Sequence, residues 1–263
     1  MEQQKAHTTD QSKTTILIVD DNEEILEFLS DDLQGEYHVL TALDGEQALQ
    51  QLHEHIVHLV ISDVMMSNMD GFELCQRIKS DFELSHIPII LLTAKNILQS
   101  KIEGLKSGAD VYIEKPFSPE HLNAQIASLL ENRNRLKEYF AKSPLVHIKG
   151  VAHNRMDEEF MEQLYQVIQK NITDHDLDVE RLATMMNMSR PTLYRKIKSI
   201  TDLSPNEMIN LTRLKIAAEL ISQGNTRMND IAERVGYNSL TQFGRNFQKQ
   251  FNMTPSEYAK QWH

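Results

Sequence analysis

The chain has 263 residues, 40% hydrophobic and 25% charged, with a formal net charge of −11. That balance suits two soluble globular domains and excludes the disordered and fibrous classes. The single cysteine, Cys75, excludes an intramolecular disulfide framework and a cysteine-based zinc site, and no apolar run nears the roughly 20 residues of a membrane span. Cys75 lies in the helical pattern FELCQRI and reads as a small buried hydrophobe.

Residues 1–13 are a polar leader of mixed charge with no apolar signal core, so a cytoplasmic protein without membrane contact is expected. Strand and helix signals then alternate. Thr15–Val19 (TILIV), Tyr37–Thr41 (YHVLT), Leu59–Ser62 (LVIS), Ile87–Leu92 (IPIILL) and Val111–Ile113 (VYI) are short, β-branched apolar runs. Amphipathic stretches lie between and after them at Glu23–Leu33, Gly45–His53, Phe72–Lys79, Ile97–Lys106 and Pro119–Leu130. Five such repeats imply a parallel sheet covered on both faces by helices, with ligands beyond the carboxyl ends of its strands.

Chemistry-bearing residues collect at those ends. Asp20 and Asp21 close the first strand and Asp63 the third. Three clustered carboxylates repel unless a cation neutralises them. Mg²⁺, which keeps several waters, suits two carboxylates plus phosphate oxygens. Thr93 ends the fourth strand and Lys115 the fifth, adding a hydroxyl and an ammonium. Together these groups form an apparatus for in-line phosphoryl transfer, with Asp63 as nucleophile and an acyl phosphate as product. Singly, each has a blander role as a cap, a strand end or a solvated charge; the combination points to chemistry.

Residues 14–132 resemble the response-regulator receiver family in ILIVDDNEEI, LVISDVMMSNMDG, LLTAK and Lys115-Pro116-Phe117. The resemblance implies a flavodoxin-like, doubly wound five-stranded parallel sheet. It implies Asp21, Asp63 and the backbone carbonyl of Met65 as Mg²⁺ ligands, with Asp20 helping to hold the ion. Thr93 would bind a phosphoryl oxygen, Lys115 would pair with the phosphate, and Tyr112 would follow the switch hydroxyl of Thr93. A cis Lys115–Pro116 bond is also implied. Ser67 stands where the motif usually has proline, which is expected to loosen the loop after Asp63.

Residues 133–156 read as a linker containing a helical continuation, Pro144 and Gly150. The charge balance shifts along the chain. Residues 1–150 hold 24 Asp/Glu against 13 Lys/Arg, whereas residues 151–263 hold 14 of each. In that neutral half, Arg190, Arg195, Lys196 and Lys198 form one basic group and Arg234, Arg245 and Lys249 another, enough for a local phosphate-binding face.

From Asp157 onward every element is helical in period, and an internal repeat appears. Leu193, Ile197 and Leu203-Ser204-Pro205 recur as Phe243, Phe247 and Met253-Thr254-Pro255; upstream, Leu182-Ala183 recurs as Ile231-Ala232. Each copy reads as a helix-turn-helix. Val179–Met186 precedes a turn at Asn187–Met188, a Ser189 cap, Pro191 in the first turn and a second helix, Arg190–Ile200. Asn229–Val235 precedes Gly236, a Ser239 cap and Leu240–Phe251. Arg190, Thr192, Tyr194, Arg195 and Lys198, then Thr241, Gln242 and Arg245, are the expected outward, DNA-facing residues.

Residues 157–263 resemble the AraC/XylS-type DNA-binding domain, most specifically in DIAERVGYNSLTQFGRNFQKQFNMTPSEY. That likeness implies an all-α domain of seven helices carrying two helix-turn-helix units, joined by a long helix within Leu203–Ser222. Gly244 replaces a small polar residue and is expected to cost the second recognition helix rigidity. The whole chain therefore reads as a two-component response regulator. A histidine kinase, in trans or in cis, would phosphorylate Asp63 and thereby control sequence-specific binding of double-stranded DNA as a homodimer, with RNA polymerase as a further partner. Two alternatives stand beside it: an excerpt of a hybrid sensor kinase, and a receiver interaction module with weak DNA output. It is not expected to be an enzyme beyond assisting its own phosphorylation and dephosphorylation. A phosphatase of the aspartate-nucleophile type would need a second acid where Met65 stands.

Overall fold

A computed structural model describes residues 13–94, 108–143, 154–224 and 227–262. The expected helix Ile97–Lys106, most of the leader, and the stretch with Pro144 and Gly150 lie outside the described residues. The chain divides into two compact units between Leu130 and Glu131.

The first unit runs β1 (Thr15–Val19), α1 (Glu23–Leu33), β2 (His38–Ala42), α2 (Gly45–Glu54), β3 (Leu59–Asp63), α3 (Gly71–Ser80), β4 (Ile89–Ala94), β5 (Val111–Lys115) and the start of α4 (Pro119–Lys142). The five strands pair in parallel in the order β2-β1-β3-β4-β5. Both faces are covered, which is why the strands read as unbroken apolar runs. Leu17, Val19, Val60 and Leu91 join Leu52, Leu74 and Ile78 of α2 and α3 in one core. Ile16, Ile18, Ile61 and Leu92 join Leu26, Leu29 and Leu33 of α1, with Leu122 and Ile126 of α4, in the other. Cys75 is fully buried in the first of these cores. Asn22, Asp44 and Asp70 cap α1, α2 and α3 with side-chain acceptors, each satisfying an otherwise orphaned amide. β1 has β2 on one side and β3 on the other, so the strand order reverses there and opens a crevice at the carboxyl ends.

The second unit contains α5 (Arg155–Lys170), α6 (Val179–Met185), α7 (Arg190–Thr201), α8 (Pro205–Ser222), α9 (Met228–Arg234), α10 (Leu240–Phe251) and α11 (Pro255–Ala259). The sequence repeat is also a backbone repeat. Asn187 and Gly236 turn each unit at positive φ, and the amides of Met188 and Tyr237 donate to the carbonyls of Ala183 and Ala232. Ser189 and Ser239 cap the two recognition helices. Asp202 and Asn252 end those helices in the left-handed region. Ser204–Glu207 and Thr254–Glu257 then form reciprocal capping boxes, each with proline in the first turn. The recurring Leu-Ser-Pro and Met-Thr-Pro strings are therefore helix starts.

Residues 133–142, read from sequence as part of a linker, complete α4, and from Glu131 on they group with the second unit. Phe140 is 1% exposed beneath Lys215, whose Nζ lies 4.6 Å from the ring centroid and donates to the Ser143 carbonyl at 2.6 Å. Gln250 donates to the Ala141 carbonyl at 2.9 Å. Burial pulls the Lys215 ammonium down to a pKa of about 8.

The two glycines of the second helix-turn-helix predict opposite outcomes. At Gly236, φ is +81° and a β-carbon would meet the Ile172 carbonyl at 2.3 Å; Gly236→Ala should cost about 2–3 kcal/mol. At Gly244 a β-carbon meets nothing within 4 Å, so Gly244→Ala should add about 0.5–1 kcal/mol. Thermal denaturation of the two variants checks both signs.

Candidate functional site

At the crevice, Asp20 and Asp63 are almost buried, at 2% and 7% exposure, while Asp21 stands in solvent. Lys115 reaches in from the end of β5, with Nζ 2.7 Å from Asp63 Oδ1 and 3.3 Å from Asp20 Oδ2. The Met65 amide donates to Asp63 Oδ2 at 3.0 Å, and the Asn22 amide donates to Asp20 Oδ1 at 3.0 Å. Desolvation by burial raises the Asp20 carboxyl above its ordinary value, despite the lowering effects of the Asn22 amide and the Lys115 ammonium.

Thr93 is buried, and its position follows from register: Asp63 pairs with Leu92, one residue earlier on β4. Its hydroxyl makes a 3.4 Å bond to the Ala94 carbonyl. Tyr112 pairs with Leu91; since Thr93 is two residues beyond Leu91, Thr93 and Tyr112 share a sheet face. Tyr112 is half-buried against that face's core. Lys115–Pro116 is cis.

Three supporting contacts are not given by the sequence pattern. Ser62 Oγ donates to the Asp63 carbonyl at 2.8 Å. Gly71 lies against the loop after Asp63, where a β-carbon would meet the Asp63 carbonyl oxygen at 2.2 Å. Ser67 does not simply loosen its loop: its amide donates to Asp21 Oδ2 at 3.1 Å, a bond that proline, lacking an N–H, could not make. Only the glycine of the SNMDG string carried a signal, as a residue allowing close backbone approach.

Two buried carboxylates share one ammonium and Asp21 adds a third, exposed carboxylate, leaving an excess of negative charge at this edge. Among the described residues no three His, Cys, Asp or Glu side chains stand as a ready-made metal cage. Mg²⁺ needs none, because it is bound through one or two carboxylates and keeps its own waters. Asp20, Asp21 and Asp63 fit that requirement in donor type and charge.

In the second unit, Arg190, Tyr194, Arg195 and Lys198 are exposed along α7, while Thr192 is half-buried. Thr192 is held at the cap, where its amide donates to Ser189 Oγ at 3.3 Å. Arg190 lies 3.8 Å from Glu180. Thr241, Gln242 and Arg245 are exposed on α10. Leu240, at the start of α10, is 45% exposed. Lys196 departs from the expected basic face. It is buried, with Nζ 2.6 Å from Asp157 and both side chains at 0% exposure. Its place in the helical period explains this, because it shares the inward face with Leu193, Ile197 and Ile200.

A family model for the response regulator receiver domain matches residues 16–127, and one for a helix-turn-helix domain matches residues 182–261. Response regulator GtcR of Aneurinibacillus migulanus is 36% identical over 69% of this chain and 74% of its own length. The chain belongs to the response-regulator family. The uncharacterized transcriptional regulatory protein YrkP of Bacillus subtilis is 37% identical over 65% of this chain and 71% of its own length. Histidine kinase P4 of Formosa agariphila is 38% identical over 97% of this chain, which spans only 18% of that protein. A probable transcriptional regulator ycf27 of Guillardia theta is 43% identical over 48% of this chain and 48% of its own length. The domains of this response regulator are regulatory ones, not those of an enzyme family.

Asp20 gives a test with a fixed sign. Its raised folded pKa means that the native state binds a proton more tightly than the unfolded chain. Ionised Asp20 therefore destabilises the metal-free fold at neutral pH, and the penalty vanishes once pH falls below the unfolded value. Asp20→Asn should raise the metal-free melting temperature at pH 7, lose that advantage near pH 3–4, the range of an unfolded carboxyl, and bind Mg²⁺ about ten-fold or more weakly. Denaturation scans at two pH values and a Mg²⁺ titration measure these effects.

Proposed function

We propose that this response regulator is phosphorylated on Asp63 by a histidine kinase and that the phosphoryl group controls its sequence-specific binding of double-stranded DNA and hence transcription. The observation that carries this proposal is the convergence of Asp20, Asp63 and Lys115 at the switch point of a receiver sheet, in a chain that also contains a tandem helix-turn-helix. A carboxylate oxygen of Asp63 attacks the phosphorus of a phosphohistidine; the phosphorus–nitrogen bond breaks and the imidazole leaves as the acyl phosphate forms. Lys115 then turns from the Asp63 carboxylate to a phosphoryl oxygen, and the Thr93 hydroxyl donates to another. Asp20, Asp21, Asp63 and the Met65 carbonyl would hold Mg²⁺, which when bound supplies charge neutralisation for the transferring group.

Thr93 and Tyr112, on one sheet face, form the switch. Their movement would alter the surface over residues 119–130 and favour a homodimer, which binds two DNA half-sites with avidity. Arg190, Thr192, Tyr194, Arg195 and Lys198 on α7, with Thr241, Gln242 and Arg245 on α10, are the proposed DNA contacts. Arginine and glutamine suit guanine and adenine edges, and lysine suits phosphate. RNA polymerase is a further proposed partner, and the cytoplasm the proposed location. Among the described residues no helix is long and apolar enough to cross a membrane. A second arrangement, with the kinase in cis, is supported by the match of nearly the whole chain to part of a much longer histidine kinase.

Wild type and Asp63→Asn, each with and without beryllofluoride plus Mg²⁺, should differ in one state only. Activated wild type should gain dimer mass by light scattering and bind DNA about ten-fold or more tightly. Binding should weaken by orders of magnitude between about 50 and 200 mM salt. Equal behaviour in all four states refutes phosphorylation control; no DNA binding at low salt refutes the output.

A further inference from the structure

The two helix-turn-helix units repeat closely in backbone, but the repeat breaks at one inward-facing position. In the second unit that position is Asn246, which bonds to Asn210 of the long helix α8 and to Tyr237, at 3.4 Å each. In the first unit it is Lys196, whose ammonium meets Asp157 of α5 at 2.6 Å with neither side chain exposed. The second recognition helix is thus tied to its own tandem domain. The first is tied to α5, upstream of both helix-turn-helix units.

Asp157 is itself held from upstream. Asn154 caps α5 and grips Asp157 twice: its Oδ1 accepts the Asp157 amide at 2.8 Å, and its Nδ2 donates to the Asp157 carboxylate at 2.8 Å. A second tie reaches the same helix from α4. Lys137 lies 3.3 Å from Asp202, the residue that caps the carboxyl end of the same recognition helix. Both α5 and α4 therefore bond to α7, one in its middle and one at its end.

We propose that Asp157 is a positioning residue for DNA reading. Through its buried pair with Lys196 it sets the pose of the first recognition helix, coupling that helix to α5, while the second unit reads its half-site independently. This rests on the DNA-binding function proposed above. A buried ion pair is poorly suited to adding net stability, because desolvation offsets most of the attraction, but it is directional and demands one geometry. Removing one partner strands a charge. Replacing both with apolar groups of similar volume keeps the packing and discards the direction.

The test uses the full chain and a duplex enriched by the wild-type protein from a random-sequence library, with each half-site scrambled in turn. Asp157→Leu combined with Lys196→Leu should fold cooperatively, with a melting temperature near that of wild type. Its penalty for scrambling the first unit's half-site should fall about ten-fold, while its penalty for the second half-site stays at the wild-type value. Asn154→Ala, which frees Asp157 but leaves the pair, should shift the same ratio in the same direction by a smaller factor and serves if the double variant does not fold. Wild-type penalties at both half-sites would mean that the pair only fills the core and would overturn the proposal. Equal loss at both would mark a global effect and overturn it too. Failure of the wild-type chain to enrich any sequence would refute the DNA-binding function itself, and the proposal with it.

Discussion

The first unit is organised around two buried carboxylates that share one ammonium. Asp20 and Asp63 sit on adjacent parallel strands because β1 and β3 pair directly, so the strand order alone brings like charges together. Lys115 comes from β5, which is separated from β3 by β4. Two strand spacings are about 10 Å, a span that needs a long side chain passing over a small strand end. Ala94, the register partner of Lys115, supplies that low ridge. The charge balance, the length of lysine and the smallness of Ala94 are thus one constraint, and the loop geometry follows from it. Gly71 lets α3 approach the Asp63 carbonyl, and the Met65 amide takes the remaining oxygen.

Much of this was legible in the sequence because it depends on short-range pattern. The unbroken β-branched runs gave five strands, and the residues closing them gave Asp20, Asp63, Thr93 and Lys115 at one edge. Boundaries moved by a residue or two, as at β4, which begins at Ile89 and not at Ile87, because proline at 88 cannot donate to the ladder. What pattern could not supply was which polar group meets which. Ser67 appeared as a missing proline, yet its amide is a donor to Asp21, and no periodicity reports a backbone hydrogen bond made 46 residues away.

Lys196 is the sharper lesson. Among four basic residues within nine positions it looked like one more phosphate contact, yet helical period places it with Leu193 and Ile197, and it is buried. A lysine on an apolar face needs a carboxylate, since a buried ammonium without one would surrender its proton. The search for that partner leads 39 residues upstream to Asp157. Period alone said that Lys196 faces inward. Only the tertiary structure says what it faces.

The two units handle buried charge in opposite ways. In the second, Lys196 and Asp157 match one cation with one anion, so that pair is complete and resists change. In the first, two buried carboxylates share one ammonium beside the exposed Asp21, so the site is left short of positive charge. A phosphoryl group, adding about 1.5 to 2 further negative charges at neutral pH, can be tolerated there only if a cation arrives and the lysine and hydroxyl donors turn toward it. Under the proposed function the rearrangement would follow from charge balance and fall on β4 and β5, whose ends carry Thr93 and Lys115. A site already neutral when empty would have no such reason to move.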